Sequence, residues 1–184
     1  MSAASVEPLV LVTVGTERYP FHRLVGWVDD WARTEVGRRA RCFVQHGSTP
    51  HPRAAEGADF LPFPELRELL ASATAVVCHG GTGSVMLARS LGRKPIVVPR
   101  VKRYGENVDD HQVDFARRLR SLGEAETAES FEELSRLLDA AATGARSYVV
   151  ASTDAHVARA VERFDAAVSR LVPRASAEPS EPRP

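Results

Sequence analysis

The segment from Val76 to Gln112, VVCHGGTGSVMLARSLGRKPIVVPRVKRYGENVDDHQ, restricts the folds open to this chain more than any other stretch. An apolar run, Ala75 to Cys78, reads as a buried strand. It stops at His79-Gly80-Gly81-Thr82-Gly83-Ser84, after which Val85, Met86, Leu87 and Leu91 continue at helical spacing. The pattern is strand, glycine turn, helix. Glycine permits positive φ and lets a ligand approach the main chain, while the free N–H groups of a first helical turn, backed by the helix dipole, favour an anion. Phosphate suits such a site. The helix is expected to end near Gly92. Lys94-Pro95 then opens a second apolar run, Ile96 to Val98, and Pro99 starts a polar loop ending at Asp109-Asp110-His111-Gln112.

The rest of the chain repeats this alternation. Leu9 to Val14 is a continuous, β-branched-rich run of the kind found in a parallel strand covered on both faces, and so belongs at the sheet centre. Gly15-Thr16 ends it, and Phe21, Leu24, Val25, Val28 and Trp31 follow at helical spacing. Arg41 to Gln45 reads as a second strand, running into the turn-rich loop His46-Gly47-Ser48-Thr49-Pro50-His51-Pro52. Asp59 to Phe63 is a weaker strand, confined to an edge by Pro62, and Pro64 opens a helix carrying Leu66, Leu69 and Leu70. After Gln112 a helix is expected through Phe115, Ala116 and Leu119 to Gly123, then an edge strand at Glu124-Ala125-Glu126. Ser130 to Glu133 forms a capping box for a helix through Leu134, Leu137 and Leu138. Asp154 caps a last helix bearing Val157, Val161, Phe164, Val168 and Leu171, whose apolar face packs on the sheet or docks a partner. Residues 1–172 are thus read as one domain, and the proline-rich residues 173–184 as a disordered tail.

Alternating strands and helices imply an α/β fold, a doubly wound parallel sheet with right-handed crossovers. Ligands bind such sheets beyond the carboxyl ends of the strands, where Gly15, His46, His79 to Ser84 and Arg100 to Gln112 converge. Lys+Arg and Asp+Glu are both 24, so no global field gathers nucleic acid or an anionic membrane. Cys42 and Cys78 sit inside apolar runs as free thiols, consistent with a reducing cytoplasm. The opening MSAASVEPLV lacks the pattern of a secretory leader, and no apolar run approaches the roughly 20 residues that span a bilayer.

With those residues in place, the chain resembles glycosyltransferase family 28, specifically the C-terminal, donor-binding half of its two-domain GT-B enzymes. It is most similar to stand-alone halves of the Alg13 and PssE kind. The motifs VTVGT, QHGST, HGGTGS, KPIVVPR and GE-x-V-D-D-H-Q occur here in the family's order, over Leu9 to Leu119. The resemblance implies a single Rossmann-like half that binds a UDP-sugar, with a separate membrane-anchored, Alg14/PssD-like subunit supplying the acceptor side. It also implies a cytoplasmic protein held at the inner face of the plasma membrane by that partner. By position, Gly15 and Thr16 lie beside the diphosphate, Gly80, Gly81, Thr82, Gly83 and Ser84 wrap it, and His79 donates to it as the leaving group departs. Gln112, with Asp110 and His111, matches the pair that contacts the donor sugar. The pair here is His111-Gln112, so the family's acidic member is displaced or replaced. Where the family commonly holds the ribose with a Glu, this chain has Leu87. Loss of such a charged hydrogen bond costs about 1.5–3 kcal/mol. Glu106, Asp109 or Asp110 takes over the ribose, or donor binding is weak, or the activity is lost.

Inverting transfer needs a base for the acceptor and charge stabilisation for the leaving diphosphate. The base is expected on the partner. Helix amides, His79 and the basic loop Arg100-Lys102-Arg103 would stabilise the phosphates, with no metal cofactor expected because no DxD motif or ligand cluster is present. The same loop would suit the carboxylate of a UDP-glucuronate donor, or form a solvated or partner-facing surface. His46 and His51 read equally as site or loop residues, and Trp27 and Trp31 as packing. Two other functions remain open: a non-catalytic nucleotide-binding or regulatory subunit, and a self-sufficient homodimeric transferase.

Overall fold

All five residues of β1, Leu9–Thr13, are buried, because helices cover both faces of the strand. The computed structural model describes residues 7–152. After β1 come α1 (His22–Ala32), β2 (Arg41–Gln45), β3 (Glu56–Ala58), α2 (Phe63–Ser72), β4 (Ala75–Cys78), α3 (Thr82–Ser90), β5 (Ile96–Val97), α4 (His111–Ser121), β6 (Glu126–Thr127) and α5 (Phe131–Ala142). The strands form one parallel sheet in the order β3-β2-β1-β4-β5-β6. Chain direction across the sheet reverses between β1 and β4, so their carboxyl ends flank the switch point of a doubly wound fold.

The period-two alternation of a strand sorts the core into two layers. Val10, Val12 and Val14 face α1 and α5, packing with Phe21, Leu24, Val28, Trp31, Leu134 and Leu138. Leu9, Leu11 and Val76 face the other way, onto Leu70 of α2 and Ala88 of α3. Cys78 and Val97 continue that second layer against Val85 and Ala116. Burial raises the Cys42 and Cys78 thiols to about 12, so both behave as small hydrophobes. Trp31 is core, and its indole Nε1 donates to Asp139 Oδ1 at 2.9 Å.

Three boundaries differ from the sequence reading. The edge strand lies at Glu56–Ala58, not Asp59–Phe63: beyond Ala58 the chain leaves the sheet, Phe60 is 63% exposed, and Pro62 sits at the N-cap of α2. His111 and Gln112 belong to the first turn of α4 rather than to the preceding loop, since the Asp110 carbonyl accepts from Val113 at 2.9 Å. The last edge strand is Glu126–Thr127. Gly123 takes φ +72° and the Glu124 amide returns to the Leu119 carbonyl, so the chain must finish its helix cap before it pairs. Ser130 caps α5 as expected, its Oγ accepting from the Glu133 amide at 3.2 Å, while the Glu133 carboxylate reaches one residue further back, to the Glu129 amide at 2.8 Å.

One feature had no sequence signal. The chain around Tyr148 pairs antiparallel with the stretch after α3, through Lys94 N–H to the Tyr148 carbonyl (2.8 Å) and Val150 N–H to the Gly92 carbonyl (2.9 Å), burying the Tyr148 ring. The expected helix from Asp154 to Leu171, the domain end at 172 and the tail 173–184 lie outside the described residues. Among the described residues no helix is long and apolar enough to cross a membrane.

Candidate functional site

A cavity of about 430 Å³ opens at the carboxyl ends of β1, β2 and β4. Thr13, Gly15, Thr16, Glu17 and Gln45 line it from the β1 and β2 ends, and His79, Gly83, Ser84 and Leu87 from β4 and α3. Phe60, Leu61, Phe63 and Leu66 form an apolar wall.

The floor is a closed set of hydrogen bonds. Thr13 Oγ1 donates to Gln45 Oε1 at 2.7 Å, and Gln45 Nε2 donates to the carbonyls of Gly15 (3.1 Å) and Asp59 (2.9 Å). This ties the β1–α1 loop to the segment leading into α2. Gly15 has φ +77°, and a Cβ there would stand 2.5 Å from His79 Cε1. A Cβ at Gly81 would stand closer still, 2.2 Å from His79 Nε2. The two glycines therefore make the slot in which His79 lies, 7% exposed.

His79 faces an unusual balance of forces. Burial chiefly, then the nearby Arg100 guanidinium, pull its pKa down to about 4 against a main-chain interaction with Thr13, so the ring is neutral at physiological pH. Its Nδ1 is buried without a hydrogen-bond partner among the described residues. Helix α3 begins immediately afterwards with Gly81 at its N-cap, and no side chain caps it. Its first-turn amides are thus free to bind an anion, and a Cβ at Gly83 would meet nothing within 4 Å.

Of the residues expected to bind the donor, Gly15, Thr16, His79, Gly83 and Ser84 line this cavity, and Gly80, Gly81 and Thr82 shape its turn. Others support it from behind. Gln112, 3% exposed, accepts through Oε1 from the amides of Gly80 (3.0 Å) and Arg100 (3.2 Å), bridging two loops instead of reaching a sugar. Arg100, 1% exposed, donates to the carbonyls of Val14 (2.8 Å), Tyr19 (2.7 Å) and Glu106 (3.2 Å), with its guanidinium 4.6 Å from the Phe21 ring centre. It is a buried strut, not a phosphate ligand. Glu106 is occupied by Arg23 at 2.8–2.9 Å and by the Val101 amide, which removes it as a ribose acceptor. His46 is buried, with Nδ1 2.7 Å from the Thr49 carbonyl, and organises its own loop.

Asp109 pairs with His111, and Asp110 accepts from the Lys102 amide at 2.8 Å. Asp110 lines a separate cleft of about 330 Å³ with Arg23, Arg103, Tyr104 and Arg117. Among the described residues no Lys or Arg lines the larger cavity, so the loop Arg100-Lys102-Arg103 does not stand where its expected role beside the phosphates would place it. Sequence reading missed Glu17, Gln45 and the Phe60–Leu66 wall. No sequence pattern marked the wall, since the exposure of Phe60 (63%) and Phe63 (59%) that creates it is a property of the folded chain. Among the described residues, no group of three or more His, Cys, Asp or Glu is placed to hold a metal.

The sequence model of the glycosyltransferase family 28 C-terminal domain matches residues 9–169. No curated protein sequence matches the chain. Among solved structures, the solution structure of ALG13 is similar with a TM-score of 0.55 and 18% identity, over 86% of this chain and 94% of that one. The kitacinnamycin glycotransferase is similar at 0.56 and 19%, over 94% of this chain and 45% of its own. MurG from Acinetobacter baumannii is similar at 0.51 and 18%, over 88% and 51%. The chain therefore spans about half the length of the latter two, and at these identities the likeness is one of fold.

Proposed function

The chain belongs to the glycosyltransferase family 28 C-terminal domain family, and from that membership we propose that it is the donor-binding half of an inverting glycosyltransferase that uses a UDP-sugar. One observation carries the reading. A cavity at the switch point of the sheet combines an uncapped helix N-terminus, a buried neutral imidazole with an unpartnered nitrogen, and an apolar aromatic wall. The first two suit a diphosphate, and Phe60 and Phe63 offer a face for a base. In the reaction the amides of α3 and the N–H of neutral His79 would meet the charge that develops on the departing diphosphate. Nothing among the described lining residues favours a donor carrying a carboxylate, so a glucuronate donor has no support from this cavity.

The acceptor side, the base that deprotonates it and the anchorage at a membrane belong, in this proposal, to a partner subunit. The likeness in fold to ALG13 is what supports that division. The acceptor would be a lipid-linked or polysaccharide chain. A second reading, a non-catalytic nucleotide-binding subunit, is favoured by Leu87, which puts an apolar side chain where a ribose-binding carboxylate is expected.

Calorimetric titration with UDP tests the proposal, with Gly83→Asp beside the wild type. An aspartate in the first turn of α3 favours the helix while placing negative charge in the cavity, so the variant should fold normally and lose UDP. Equal binding by both proteins would refute the assignment. UDP binding without turnover of any UDP-sugar, with or without the copurifying partner, would favour the non-catalytic reading.

A further inference from the structure

Glu17 is the single charged residue among those lining the 430 Å³ cavity in the described part of the chain. That is an unexpected place for a carboxylate. The features around it, the free amides of α3 and the neutral ring of His79, are donors suited to an anion, and the arginines within electrostatic reach of Glu17, Arg18 and the buried Arg100, are not among the residues that line the space. A carboxylate beside a diphosphate weakens binding by repulsion unless the same ligand presents hydroxyl donors to it.

The loop bearing Glu17 is held firmly. Gly15 turns it and is fixed through its carbonyl by Gln45, the Glu17 carbonyl accepts from Ser48 Oγ at 3.1 Å, and the Tyr19 carbonyl accepts from Arg100 at 2.7 Å. The other candidate carboxylates are engaged elsewhere: Glu106 by Arg23 and the Val101 amide, Asp110 by the Lys102 amide, and Asp109 by His111. Leu87 of α3 contributes only hydrocarbon to the lining.

We propose that Glu17 is a specificity-determining residue that accepts hydrogen bonds from a vicinal diol of the bound donor. This inference rests on the nucleotide-sugar reading of the cavity. A diol is carried by the ribose and by the sugar to be transferred, and both satisfy the same bidentate chemistry.

Glu17→Gln and Glu17→Ala are titrated calorimetrically with UDP, 2′-deoxy-UDP and UDP-glucose beside the wild type. Both are exposed-site changes, and matching urea midpoints establish that the variants fold alike. The expected result is a loss of affinity on the order of tenfold to a hundredfold for the ligand bearing the diol. If the ribose is the source, the wild type prefers UDP to 2′-deoxy-UDP and the variants lose that preference. If the sugar is the source, UDP binding is unchanged and UDP-glucose alone weakens. Unchanged or tighter binding of every ligand by the variants identifies Glu17 as a repelling bystander and overturns the inference while leaving the cavity assignment intact. Failure of the wild type to bind any of the three overturns both.

Discussion

Replacing Gly15 with alanine should damage the site through His79, and a second glycine in the same protein supplies the control. At Gly15, φ is +77°, so an alanine incurs about 1–2 kcal/mol of left-handed strain. Its Cβ would also lie 2.5 Å from His79 Cε1 and 2.8 Å from Nε2, closer than atoms can approach, so the buried ring must leave its slot. Overpacking of that kind adds about 1–3 kcal/mol. At Gly123, φ is +72° but nothing lies within 4 Å of the added carbon, so Gly123→Ala carries the backbone strain alone. The two variants should differ by about 2 kcal/mol, or roughly 4–8 °C in melting temperature for a chain of this size. Urea denaturation gives the stabilities, and calorimetric titration with UDP gives the second readout. Gly15→Ala should lose most of its affinity while Gly123→Ala binds as the wild type does. Equal midpoints and equal affinities for the two variants would mean that His79 is not held by Gly15, and the account of the slot would fall with it.

His79 also sets a pH dependence. Its folded pKa of about 4 lies below the ordinary value of 6.5, so the unfolded chain takes up the proton first on acidification. Stability should be full above about pH 6.5 and fall towards pH 4 by about 3 kcal/mol. His79→Gln should flatten that limb, as urea midpoints at pH 7 and pH 4.5 will report. Gln112→Leu strands the buried amides of Gly80 and Arg100 together and should cost about 2–4 kcal/mol, whereas Gln112→Glu, which keeps an acceptor, should cost less. For the Arg23–Glu106 pair, with side chains 16% and 5% exposed, a double-mutant cycle should give a coupling above about 1 kcal/mol. The exposed Arg39–Glu35 pair should give about 0.5 kcal/mol or less in the same cycle, and similar couplings would show that burial is not what separates them.

The sheet and its helices were legible because their cause is local. The unbroken run Leu9 to Val14 announces a strand covered on both faces, and the spacing of Phe21, Leu24, Val28 and Trp31 announces the helix that covers one of them. HGGTGS was equally legible as a βα turn, although its glycines serve close approach alone: none of Gly80, Gly81 and Gly83 takes a positive φ, and a Cβ at Gly80 or Gly81 would collide with Gln112 or His79. Edges were less so. Pairing at β3 and β6 rests on two or three residues, and the cap at Gly123 decided where β6 began.

The division of labour within the site was not legible, because it depends on which polar groups become buried together. Arg100, Glu106, Gln112 and His46 look from their positions like ligand-facing groups in loops at the active edge. Tertiary packing buries each of them, and a buried polar group must find a partner: Arg100 takes three carbonyls, Gln112 two amides, and Glu106 an arginine and an amide. Conversely Glu17 and the Phe60–Leu66 wall reach the cavity from elements far apart in the chain, where no local pattern marks them. Sequence by itself determined the order of strands and helices, the sheet edge at which the polar loops gather and the glycine turn that opens α3, since backbone propensity and periodicity decide those. Only the tertiary structure decided which side chains at that edge remain available to a ligand, because availability is what is left after burial has claimed its hydrogen bonds.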